Sequence, residues 1–121
     1  MPDFISKMDW GSLRHEYDLD AKRLLPWDAI NAPFEGAWCV VRPGTKSKPH
    51  HHDELELFIT ISGEAEVVID GQPFSVSKGD LVSIPKESEH FISNDSDEDF
   101  HMYTIFWSPQ SAERFLQKED K

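Results

Sequence analysis

An all-β fold, a sandwich or barrel of short strands, is the class this sequence predicts, and three observations carry it. Apolar runs of four to eight residues recur through the middle of the chain. Turn residues punctuate them, at Pro43-Gly44, Ser62-Gly63 and Lys78-Gly79-Asp80. Between two of the runs stands Asp70-Gly71, a two-residue hairpin signal, because a type I′ turn needs positive φ at both central positions.

In chain order, residues 1–35 are mixed, with Trp10, Leu13, Leu24, Leu25 and Trp27 as anchors and Pro26 and Pro33 as breakers. They read as an extended arm with a short strand or turn, packed on the barrel or on a second subunit. The first clear strand is 36–42, which Pro43-Gly44 ends. Residues 54–61 alternate and form the second. The run 64–69 turns at Asp70-Gly71 into a return strand, 73–76. Strands follow at 81–84, 90–93 and 100–107, and the acidic run 94–99 reads as a solvated loop. That run lacks the glycine and terminal glutamate of a calcium loop. Ser108 then Pro109 is an N-cap with a first-turn proline, so a short helix is expected over 112–117. Residues 118–121 are expected to fray. The domain reading is therefore an arm (1–35), a barrel (36–108) and a C-terminal helix with its tail (109–121).

Composition narrows the function classes. The 121 residues are enough for one domain and one core. No stretch approaches the roughly 18 apolar residues of a membrane-spanning helix, and the N-terminus has no apolar signal region. A cytoplasmic location without membrane partners is expected. The net charge of −11 disfavours nucleic acid, whose phosphates would be repelled. A single cysteine, Cys39, excludes an intrachain disulfide; in an apolar strand it reads as a buried small hydrophobe.

Chemistry concentrates at His50, His52, Glu56 and His90. Three imidazoles and a carboxylate suit a divalent transition metal. Strand parity would send His50 and His52 to one face with Glu56, and His51 to the other. His90 would come from a separate segment. The glycines sharpen the pattern: Gly44, five residues, His50, one, His52, three, Glu56, six, Gly63. The second stretch runs Gly79, five residues, Pro85, one, Glu87, two, His90, three, Asn94.

This pair of stretches resembles the two motifs of the cupin superfamily. The first matches at every defining position; the second matches at Gly79, Pro85, His90 and Asn94 and departs at Glu87, where the family has a glycine. Glycine there would permit positive φ, so the departure bears on turn geometry rather than on a ligand. The fifteen residues between Gly63 and Gly79 are similar to the spacing in small microbial cupins. The resemblance covers about residues 36–108 and implies a jelly-roll β-barrel with one divalent metal (Fe, Mn, Zn, Ni or Cu) on those four ligands. A homodimer is also implied, with the arm exchanging strands or covering a sheet edge.

Three neutral imidazoles and one carboxylate leave a divalent ion with a net charge of about +1 and, at six-coordination, two open positions. Such a site suits a small metalloenzyme acting on a polar metabolite, by oxygenase-type or Lewis-acid chemistry. Phe58 and Thr60 continue the inward parity. Arg42 is a candidate anchor for a substrate carboxylate, with a surface ion pair as the plainer reading. His101 and Tyr103 are candidate proton shuttles if their face of the last strand lines the interior. A non-catalytic binding or sensing module is the main alternative. The tract Trp27-Asp28, Phe34-Glu35-Gly36 and Pro43-Gly44 before the histidines also looks like that of zinc cupins that join nitrogens.

Overall fold

A computed structural model describes residues 4–119. Among these described residues nine strands and one helix follow one another: β1 (Arg14–Glu16), β2 (Leu19–Arg23), β3 (Phe34–Val41), β4 (Leu55–Ser62), β5 (Ala65–Ile69), β6 (Gln72–Val76), β7 (Leu81–Ile84), β8 (His90–Ser93), β9 (Phe100–Trp107) and α1 (Pro109–Glu119). They form a six-stranded sheet ordered β1-β2-β3-β9-β4-β7 and a three-stranded sheet ordered β6-β5-β8. Every pairing is antiparallel, as expected of a jelly roll.

The core lies between the sheets because the strands alternate. On β4, Glu56, Phe58 and Thr60 are buried while Leu55, Leu57 and Ile59 are not fully so. On β9 the buried set is Phe100, Met102 and Thr104, and on β3 Ala37, Cys39 and Val41 face the same interior. Gly36 permits a close approach: a Cβ there would stand 2.8 Å from the Tyr103 hydroxyl. At Asp70 and Gly71, φ is 48° and 83°, the left-handed pair that a hairpin of this twist requires.

The ends refine the expected boundaries. Residues 14–23 form a hairpin that pairs with the chain's own β3, Ala21 opposite Cys39 and Lys22 opposite Trp38. The arm is thus in part a wall of the barrel's larger sheet. Its turn residues, Tyr17 and Asp18, are left-handed at φ 52° and 59° without being glycine or asparagine. The helix starts at Pro109, earlier than the expected 112, because the Ser108 hydroxyl accepts the Ser111 N–H at 3.1 Å as an N-cap. The fraying expected at 118–121 falls largely outside the described residues. The acidic loop is organised by Asn94, which is fully buried and donates to the carbonyls of Val41 (2.9 Å) and Glu98 (2.7 Å).

A candidate metal centre in the barrel

β4 begins only at Leu55, so His50, His52 and Glu56 do not share one continuous strand as parity had suggested. His50 is placed instead by an isolated bridge to His90, with reciprocal backbone hydrogen bonds of 3.2 and 3.0 Å. His52 is held by its carbonyl, which accepts the Glu87 N–H at 2.6 Å. Glu87 adopts φ 63°, the left-handed conformation that a glycine would reach without strain. The four side chains converge all the same, with one donor atom from each lying within 4.8 Å of the others.

Each imidazole is anchored through Nδ1. His50 faces the Lys48 carbonyl at 3.0 Å, His52 the Glu54 carbonyl at 3.0 Å, and His90 the Ser88 carbonyl at 2.9 Å. A carbonyl only accepts, so Nδ1 carries the proton in all three rings and Nε2 is the free ring atom. The Nε2 atoms of His52 and His90 meet the carboxylate, and His50 completes the group. Glu56 Oε1 lies 3.0 Å from His52 Nε2 and 3.2 Å from His90 Nε2, and Thr104 Oγ1 donates to Glu56 Oε2. His90 Nε2 is buried and makes no hydrogen bond at that distance. Lone pairs facing a carboxylate need a proton or a cation between them. One divalent ion satisfies all four groups at once, so the donor set fits a metal, and the backbone carbonyls supply the outer contacts that fix ligand orientation.

The electrostatics agree with that reading. Burial alone would raise the Glu56 carboxyl, but His90, the Thr104 hydroxyl and His52 outweigh it and hold the group below the usual carboxylate range. Burial likewise opposes protonated His90, yet Glu56 and the Ser88 carbonyl raise its pKa. Burial lowers that of His50.

The centre opens into a cavity of about 410 Å³, walled by Phe58, Phe91, Ile92, Met102 and Phe106. Cys39 lines it too, and burial pushes its thiol up to about 12, which excludes it as a nucleophile near neutral pH.

Three sequence candidates lie elsewhere. Arg42 lies one residue past β3, where the acidic surface captures it: Nε donates to Asp20 and Nη1 to Asp99, both at 2.9 Å. This is the plainer of its two readings, a surface ion pair. His101 and Tyr103 stand on the outer face of β9, because Met102, Thr104 and Phe106 take the cavity side. His101 is bonded to Ser62 Oγ at 3.0 Å and meets Trp10 edge-on, and Tyr103 packs edge-on against Trp38. None of the three lines the cavity. In their place the β1–β2 hairpin contributes Glu16, Tyr17 and Arg23. Alternation of Leu19, Ala21 and Arg23 was the signal for them, hidden in a segment read as an arm.

Comparison with known proteins accords with this geometry. The plu4264 protein from Photorhabdus luminescens is 53% identical, with a TM-score of 0.86 over 98% of this chain and 99% of that one. A Cupin 2 conserved barrel domain protein from Salinispora arenicola is 43% identical, with a TM-score of 0.83 over 94% and 96%. Among curated proteins, a 5-nitrosalicylic acid 1,2-dioxygenase from Bradyrhizobium is 27% identical over 73 residues, 58% of this chain. That match spans 35% of the relative's length, and a match to a second curated relative spans 32%, so the chain covers about a third of these proteins. The family model described as a cupin domain matches residues 37–106, and the chain belongs to the cupin family.

Proposed function

We propose that this cupin is a small mononuclear metalloenzyme that binds one divalent transition metal through His50, His52, Glu56 and His90 and acts on a small polar metabolite. The observation that carries the reading is the grouping of three imidazoles, each with its Nδ1 proton committed to a carbonyl, with the buried Glu56 carboxylate, which the Nε2 atoms of His52 and His90 face directly. A bound ion would supply Lewis acidity, or, if iron or manganese, a site for dioxygen-dependent oxidation. The chain's own residues do the rest. Thr104 holds Glu56 in place, and the deprotonated Glu56 brings the site's net charge to about +1, which favours an anionic or chelating substrate. Phe58, Phe91 and Phe106 keep the cavity wall apolar and limit the water that shares the site. The 5-nitrosalicylic acid dioxygenase among the relatives supports the oxygenase branch of this reading.

Elemental analysis of untagged protein purified without chelator, beside His52→Ala, tests the proposal. Near-stoichiometric metal in the wild type and its loss in the variant are expected. Iron or manganese then directs substrate screens to oxygen consumption, and zinc to carbonyl or nitrogen chemistry. Metal at equal levels in both proteins would overturn the site. Metal and ligand binding without turnover across both screens would leave a sensing module.

A further inference from the structure

The cavity that holds the four candidate ligands is also lined by a group of the opposite character, on β2 of the same sheet as Glu56. Among the described residues that line the cavity, Arg23 alone is an arginine or lysine. The register puts it opposite Ala37 on β3, and Ala37 opposite Thr104 on β9, the residue that holds Glu56. Two strand spacings make the Arg23 and Thr104 backbones roughly 10 Å apart. The inward positions between and beside them, Ala37 and Ala21, carry only methyl groups, and both are buried. Small side chains there leave a floor over which a ligand can extend from the metal ligands to the guanidinium.

The fork of Arg23 is only partly used. Its Nε (3.0 Å) and Nη2 (2.8 Å) both donate to a single oxygen, Oε1 of Glu16, and Nη1 has no partner among the described residues. The other carboxylate that acts on Arg23, Glu35, makes no ion pair with it and accepts the backbone N–H groups of Leu25 and Gly36 on Oε1 at 3.0 and 2.8 Å. Tyr17, adjacent to Glu16, is held left-handed and stacks on His50 with ring centroids 5.1 Å apart. Strain of that kind in a residue with a large side chain persists where the surroundings demand it. The turn between β1 and β2 therefore ties Glu16 and the metal ligand His50 into one wall.

We propose that Arg23 is the carboxylate anchor of this cavity and that its substrate class is a small carboxylate with a flat, apolar body, one end at the metal ligands and the carboxylate on the guanidinium. Glu16 competes for the same donors and tunes the affinity. A guanidinium matches a carboxylate through two parallel hydrogen bonds, which a neutral amide of the same shape cannot accept equally. This inference rests on the metallo-cupin reading for the orientation of the ligand, but the anchor itself can be tested without metal.

Benzoate and benzamide are suitable probes, titrated into metal-free and zinc-loaded protein while the methyl signals of Ala21 and Ala37 are followed by NMR. Wild type is expected to prefer benzoate by about tenfold or more, given the strength of charge-assisted pairs. Arg23→Met is expected to lose that preference without losing zinc. Glu16→Gln is expected to tighten benzoate severalfold, a gain that misfolding cannot imitate. Equal binding of the two probes by wild type, an Arg23→Met variant that binds benzoate normally, or weaker benzoate binding by Glu16→Gln would each overturn the anchor. Failure of zinc to bind would count against the metal centre, while the metal-free titration would still judge Arg23.

Discussion

Glu87 shows how a single residue can carry a local disagreement without disturbing the site. Its backbone sits at φ 63°, where an L side chain crowds the adjacent carbonyl, and its N–H nevertheless closes on the His52 carbonyl at 2.6 Å. The left-handed region costs a non-glycine residue roughly 1–2 kcal/mol, and glycine returns roughly 0.5–1 kcal/mol of that as extra unfolded-state entropy. Its carboxylate reaches only His51, at 3.4 Å and largely exposed, so little is lost with the side chain. Glu87→Gly is expected to stabilise the protein by about 0.5–1 kcal/mol in urea unfolding, with metal content unchanged. A destabilised variant would mean that the Glu87 side chain, rather than the turn alone, supports His52. The four-residue group that could hold a metal was legible because His50, His52, Glu56 and His90 stand at spacings that few sequences share. How they are oriented was not, since the three Nδ1 contacts go to the carbonyls of Lys48, Glu54 and Ser88, and a carbonyl has no residue type to read.

At the scale of elements, legibility followed the strength of the turn chemistry. Asp70-Gly71 announces its hairpin, and β7, β8 and β9 lie at the expected residues, 81–84, 90–93 and 100–107. Tyr17-Asp18 announces little, because aspartate tolerates the left-handed region but tyrosine does not favour it, and the Tyr17 ring in this turn stacks on His50. The β1–β2 hairpin was accordingly read only as an arm with a short strand or turn, and Arg23 went unnoticed with it. It also covers an edge: without it, β3 would present its unpaired backbone to solvent, with the Cys39 row uncovered on one face. Deletion of residues 1–23 is expected to yield concentration-dependent association in sedimentation velocity and to expose Cys39 to thiol reagents at pH 8. In the intact protein that thiol, raised to about 12 by burial, stays unreactive. A truncated chain that sediments as the full-length protein does, with Cys39 still protected, would show that β3 needs no cover.

For the molecule as a whole, the acidic surface and the metal centre make opposite demands on any divalent cation. A net charge of −11 attracts all such ions weakly and without regard to their chemistry, and clusters such as Asp95, Asp97, Glu98 and Asp99 add local oxygen ligands. The buried centre selects differently, because three of its four donors are imidazole nitrogens, which suit zinc or cobalt far better than calcium or magnesium. Thermal unfolding separates the two effects. An ion that binds the folded state alone and is present at about 1,000 times its Kd adds about 4 kcal/mol, equivalent to roughly 10–20 °C in a domain of this size. Zinc or cobalt is expected to raise the Tm of metal-free protein by that order and calcium to leave it within a degree or two. The zinc shift should vanish in His52→Ala, whose surface charge is unaltered. Equal shifts from zinc and calcium, or a zinc shift that survives in the variant, would assign the stabilisation to surface charge neutralisation. The four-residue centre would then be a polar cluster that folds without a resident ion.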